Sequence, residues 1–161
     1  MVTRDGMFTR IMVPLDGSDL AEQALPYAGY LAASTGGTLY LLYALEPPSA
    51  IRAQGLGAPV NVYEPIIAAQ RQEATAYLEQ MRARMEGEGR SVHVELLDGH
   101  AAAVLLDYVR EAGIDLVVMT THGHAGLTRW SLGSVANRVA GAGTVAVLLV
   151  PVRAAGQTER A

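Results

Sequence analysis

The sequence predicts one α/β domain: a doubly wound, five-stranded parallel sheet with helices on both faces. Three observations predict it. Short apolar runs alternate with longer stretches of helical periodicity, in the order β-α-β-α-β-α-β-α-β. Most of those runs are apolar throughout, as strands buried on both faces are. Glycines then stand where the helical stretches end. The 161 residues suit a single domain.

The first run, Ile11-Met12-Val13-Pro14-Leu15, reads as a buried strand, and Asp16-Gly17-Ser18 as the turn after it. Apolar residues next recur at Ala21, Ala24, Leu25, Ala28, Leu31 and Ala32, the spacing of one helix. Pro26 falls inside that helix as a kink, and Gly36-Gly37 ends it. Thr38 to Ala44 is the second strand. Glu46 to Pro65 reads as a long loop of the kind that serves as a lid or binding loop. Ile66 to Glu86 is a long helix with Ile67, Ala74, Leu78, Met81 and Met85 on one face. Ser91 to Leu97 is the third strand. A helix from Ala101 to Ala112 follows, and Gly113 ends it. Ile114 to Met119 is the fourth strand. A polar, glycine-bearing loop covers Thr120 to Leu132, and a helix Ser134 to Ala140. Thr144 to Val150 is the fifth strand, ended by Pro151. Residues 1–153 thus form the domain, and 154–161 a loose tail.

Composition removes several function classes. Cysteine is absent, which excludes disulfides, thiol catalysis and cysteine zinc sites. Lysine is absent too, so there is no P-loop lysine and no Schiff-base lysine. The net charge is −4 and no basic stripe runs along the chain, which argues against nucleic acid as a partner. The longest apolar run, Thr144 to Val152, is too short to span a bilayer, and Met1 to Arg10 lacks a signal-peptide core. The expected location is cytoplasmic.

Doubly wound sheets bind ligands beyond the carboxyl ends of the strands, where the strand order reverses. With the first and fourth strands adjacent there, Pro14-Leu15-Asp16-Gly17-Ser18 faces Thr120-Thr121-His122-Gly123. The second segment continues through His124 to Gly133-Ser134-Val135. Gly123 and Gly133 permit close backbone approach, and the last helix offers its N-terminal N–H groups and dipole to a phosphate. The Ser134 hydroxyl is placed either to bond a phosphate or to cap the helix. Read without a ligand, the same residues are a glycine turn with a serine cap. Asp16 has two readings as well: a ribose or metal contact, or an Asx-type turn and N-cap. His122, His124 and His100 invite a metal reading, but no third ligand is placed, so no metal site is assigned. No GxSxG elbow surrounds Ser18, Ser131 or Ser134, and no catalytic residue is assigned.

These segments resemble the universal stress protein family over roughly Thr9 to Val152. Its opening strand reads like I-L-V-P-x-D-x-S, here Ile11 to Ser18. Its ATP-binding branch carries G-x-x-G, nine residues, then G-[S/T]. Here Gly123, nine residues and Gly133-Ser134 match the later elements, while Thr120 replaces the first glycine. A β-branched residue makes φ > 0 costly, so extended backbone is expected at Thr120. The resemblance implies a Rossmann-like fold of the adenine nucleotide alpha hydrolase type. It implies ATP, with Mg2+ or Mn2+, beside Pro14, Leu15 and Asp16. Ala44 would contact the adenine, and Met119 and Thr120 would flank the ribose. Gly123, His124, Gly133, Ser134 and Val135 would hold or face the phosphates. It also implies a homodimer through Val145 to Val150. The expected function is ATP binding as a regulatory signal with slow hydrolysis at most. A metal-dependent nucleotide hydrolase and a dimeric interaction protein that binds no nucleotide stand as alternatives.

Overall fold

The computed structural model describes residues 7–46, 64–87, 89–121 and 133–152. The tail expected at 154–161 lies outside them. Five strands, β1 (Arg10–Leu15), β2 (Thr38–Leu45), β3 (Ser91–Asp98), β4 (Leu116–Thr120) and β5 (Ala146–Val150), pair in parallel in the order β3-β2-β1-β4-β5. The helices are α1 (Asp19–Glu22), α2 (Leu25–Thr35), α3 (Glu64–Met85), α4 (Ala101–Glu111) and α5 (Ser134–Gly141).

The chain winds outward from β1 through β2 to β3. It then returns to the other side of β1 for β4 and β5. Right-handed crossovers travelling in opposite directions put their helices on opposite faces. Thus α2 and α3 cover one face, where Leu25, Ala28, Leu78 and Met81 pack with Ile11, Val13, Leu39 and Leu41. On the other face Leu105, Val109 and Val139 from α4 and α5 pack with Met12, Leu42 and Val117. Successive residues of β1 therefore enter different cores, which is why its sequence is apolar without alternation. Burying each such side chain contributes roughly 1.5–3 kcal/mol.

One expected helix is two. The stretch after β1 breaks at Gln23 and Ala24, and Pro26 lies in the first turn of α2 rather than inside a longer helix. A first-turn proline removes no intrahelical hydrogen bond, so a fresh start is cheaper than a kink. Gly36 closes α2 in the left-handed region at φ 69°, as a C-terminal glycine does. By the same logic α3 begins at Glu64, two residues earlier than expected, and takes Pro65 into its first turn. No helix among the described residues is long and apolar enough to cross a membrane.

Candidate functional site

β1 pairs with β2 along its whole length, up to Leu15 opposite Tyr43. With β4 it pairs only at Ile11–Leu116 and Met12–Val117. Pro14, two residues on, has no N–H to donate to a ladder. The carboxyl ends of β1 and β4 separate there, at the point where the strand order reverses, and a cleft of about 880 Å³ opens.

Of the residues expected at a site, Pro14, Leu15, Asp16, Ala44, Met119, Thr120, Gly133, Ser134 and Val135 line this one cleft. Four elements bring them there: the exits of β1, β2 and β4 and the entrance of α5. Gly123 and His124 lie outside the described residues, as does His122.

Asp16 forms the Asx-type turn, at the edge of the cleft. Its Oδ1 accepts from the Ser18 backbone N–H at 3.0 Å and from the Ser18 hydroxyl. The helix cap itself is Ser18, whose Oγ accepts from the Ala21 N–H at 3.2 Å. Gly17 between them takes φ 79°, a conformation that costs glycine little.

Thr120 ends β4 in extended backbone, paired with Val150, and is 6% exposed. The replaced glycine therefore imposes no left-handed strain. Next to it the Thr121 carbonyl accepts from the Gly133 N–H at 2.7 Å, which brings the entrance of α5 against the exit of β4. The cap of α5 is Gly133, which has no side chain to cap it with. Ser134 is already its first residue, so its hydroxyl does not serve as the cap. The first-turn N–H groups and the positive end of the helix dipole stand at the cleft wall.

Sequence reasoning missed the α3 wall. Gln70, Glu73, Ala74 and Tyr77 recur at helical spacing and line the cleft opposite α5. The available signal was polar residues interrupting the amphipathic stripe in the first half of α3. The Tyr43 phenol also lines the cleft, 3.9 Å from where a Cβ on Gly17 would sit. Burial raises its pKa first, then Asp16 and then Glu73. Tyr77 packs edge-on against Tyr43 with ring centroids 6.1 Å apart. Its hydroxyl donates to Glu22 at 3.2 Å, and burial followed by Glu22 raises its pKa strongly. Glu22 is also held by Arg84 at 2.7 Å.

Glu46 was expected only as the start of a loop. Its carboxylate accepts from the Ala101 N–H at 3.0 Å and meets His100 Nδ1 at 2.8 Å. It thereby supplies the cap that α4 lacks from its own N-cap residue, His100. That contact is where the structure places His100. Among the described residues no three His, Asp or Glu side chains form a metal site.

A β1 exit bearing Asp16, facing a helix entrance reached through Thr121 and Gly133, agrees with the family pattern seen in the sequence. The family model for the universal stress protein family matches residues 7–151. The chain belongs to the universal stress protein family. Universal stress protein YxiE of Bacillus subtilis is 29% identical over 148 residues, covering 89% of this chain and 99% of that protein. A solved structure of hypothetical protein MJ0577 superposes with a TM-score of 0.80 at 21% identity, covering 93% of this chain and all of that one. Two further universal stress protein structures share the fold. One, in complex with cAMP, has a TM-score of 0.64 at 24% identity and covers 91% of this chain and 98% of that one. The other, from Archaeoglobus fulgidus in complex with dAMP, has a TM-score of 0.62 at 20% identity and covers 89% and 98%.

Proposed function

We propose that this universal stress protein binds an adenine nucleotide, ATP, in the β1–β4 cleft, and that the nucleotide acts as a regulatory ligand. The observation that carries the reading is the placement of the α5 entrance, with glycine as its N-cap, in the same cleft as Asp16 and Ala44. Phosphates suit the helix N-terminus, and Asp16 suits a ribose hydroxyl. Ala44, near the end of β2, offers backbone to a base. A volume of about 880 Å³ is within the range of small-ligand sites. The cAMP and dAMP complexes of fold relatives favour the same ligand class.

Mg2+ or Mn2+ would arrive with the phosphates, and of the cleft's carboxylates Asp16 is the one at the end of β1. When bound, the ion neutralises phosphate charge. The protein's part is to hold and orient the nucleotide. No assigned group activates a water molecule, so hydrolysis is slow at most. The same reading includes a homodimer through β5, an edge strand with Leu148 exposed, and a cytoplasmic location.

The test is calorimetric titration of nucleotide-stripped protein with ATP and Mg2+, beside Gly133→Val. We expect a dissociation constant of about 1 μM for the unaltered chain, or about −8.2 kcal/mol. Binding should weaken by at least about tenfold, roughly 1.4 kcal/mol, in the valine variant, whose branched Cβ obstructs close approach. No heat and no thermal shift with ATP would sink the reading.

A further inference from the structure

Asp16 stands on a turn whose far end is a very short helix. Its Oδ1 fixes Ser18, and Ser18 caps α1, which has only four residues. One helical turn does not hold itself, because fixing its backbone costs more than its first hydrogen bonds return. The placement of α1 is therefore set by its contacts with the rest of the fold. Ala21 is buried, and Glu22, the last residue of α1, reaches across to α3. One oxygen of Glu22 accepts from the Tyr77 hydroxyl at 3.2 Å, and the other meets Arg84 at 2.7 Å. The Glu22 side chain is only 19% exposed. Tyr77 packs edge-on against Tyr43, and Tyr43 Cε2 lies 3.7 Å from where a Cβ on Gly17 would stand. The contacts thus close a ring that begins at Asp16 and returns to Gly17 beside it. Burial raises the pKa of both phenols most, and Glu22 at Tyr77 and Asp16 at both add to it.

We propose that Glu22, which does not line the cleft, is a positioning residue for ribose recognition. Tied to Tyr77, it holds α1, and through α1 it holds the Asp16–Gly17–Ser18 turn where the Asp16 carboxylate accepts from the ribose hydroxyls. The inference rests on the nucleotide reading above, in which Asp16 takes the ribose. The phosphates in that reading sit at the entrance of α5, a different element. Loss of the Glu22 tie lets α1 shift and carries Asp16 with it, while the phosphates keep their seat. A hydrogen bond weakens steeply as its distance and angle depart from the optimum, so a small shift suffices. The effect therefore falls on the ribose hydroxyls rather than on the nucleotide as a whole.

The experiment compares ATP with 2′,3′-dideoxy-ATP, both with Mg2+, by calorimetry on the full chain. The unaltered chain should bind ATP about tenfold more tightly, the effect of one hydrogen bond to a charged group. Glu22→Ala should narrow that ratio by about threefold or more, while affinity for the dideoxy nucleotide holds. Glu22→Gln keeps an acceptor for the Tyr77 hydroxyl and should keep most of the ratio. Tyr77→Phe cuts the same link but keeps the ring, so it should act like Glu22→Ala and not add to it. It carries the test if a thermal melt shows that Glu22→Ala does not fold. In an Asp16→Asn background Glu22→Ala should leave the ratio unmoved, which a merely loosened fold would not do. A ratio unmoved by Glu22→Ala and Tyr77→Phe in the otherwise unaltered chain would overturn the proposal. So would an equal loss for both nucleotides, or a ratio near one in the unaltered chain, with nucleotide binding left standing. If no adenine nucleotide binds the unaltered chain, the nucleotide reading falls and the proposal with it.

Discussion

Two seams of one sheet end differently at their carboxyl edge. The β2–β3 seam runs in register from Thr38–Ser91 to Leu45–Asp98 and is then tied shut. The Gly99 N–H donates to the Leu45 carbonyl at 2.9 Å, Glu46 caps α4, and Arg71 of α3 pairs with Asp98. The β1–β4 seam is tied at its other end. Asp115, just before β4, accepts from the Thr9 N–H at 2.9 Å, the Thr9 hydroxyl at 3.2 Å and the Arg10 N–H at 3.1 Å. Its own N–H donates to the Arg10 carbonyl at 3.1 Å. Beyond Met12 and Val117 this seam parts. A parallel sheet thus makes its cleft by where crossovers leave it. At β2–β3 the residues at and just past the strand ends, Leu45 and Glu46 with Gly99 to Ala101, are joined by hydrogen bonds. At β1–β4 the crossovers run away from each other along the sheet, from β1 to β2 and from β4 to β5, and a crevice is left between the two exits.

The largest effect on stability should come from removing the amino-end tie. Asp115→Ala leaves N–H donors at Thr9 and Arg10 without their acceptor, and should cost about 2 kcal/mol in urea denaturation. Nucleotide binding should weaken too, because the tie sets the spacing of the two exits. Unchanged stability would show that the strand pairing alone holds this seam. A smaller loss is expected at the closed seam. Glu46→Gln keeps the shape but removes the charge at the α4 N-terminus, and should cost about 1 kcal/mol, with less effect on nucleotide affinity than Gly133→Val. Equal or greater loss of affinity would mean that the closed seam is part of the binding site proper.

The smallest effect appears only in alkali. Tyr108 of α4 packs edge-on against Tyr40 of β2, and burial followed by Glu95 pushes its phenol up to about 12. The folded state thus holds this proton more tightly than the unfolded chain, whose phenol titrates near 10. That contribution is complete below pH 10 and is lost as pH rises from 10 towards about 12. Tyr108→Phe should lose less stability across that interval than the unaltered chain, measured by urea midpoints at successive pH values. Parallel pH curves would show that burial of Tyr108 does not bear on the closed seam.

Much of the site is legible in the sequence. Asp16, Thr120, Gly133 and Ser134 stand where strands end or a helix begins, and such junctions are marked by local chemistry: a proline without an N–H, a glycine, a small polar residue. Gln70, Glu73 and Tyr77 are not legible as site residues, because on α3 they look like any solvated helix face. Only the packing of α3 beside β2 turns that face towards the cleft. Glu46 escapes for the same reason, since its partner at Ala101 is 55 residues away. The break between α1 and α2 escapes because helical periodicity continues across it, and only cap geometry separates the two.

Period, propensity and composition act within a few residues, and what they dictate is therefore readable along the chain. They specify the number and kind of elements, the apolar character of strands buried on both faces, and the absence of lysine and cysteine chemistry. The order β3-β2-β1-β4-β5, the seam that opens, and the meeting of α3 residues with the α5 entrance in one cleft arise only on folding. Register, crossover direction and side-chain ties join residues that become neighbours only once the chain has folded.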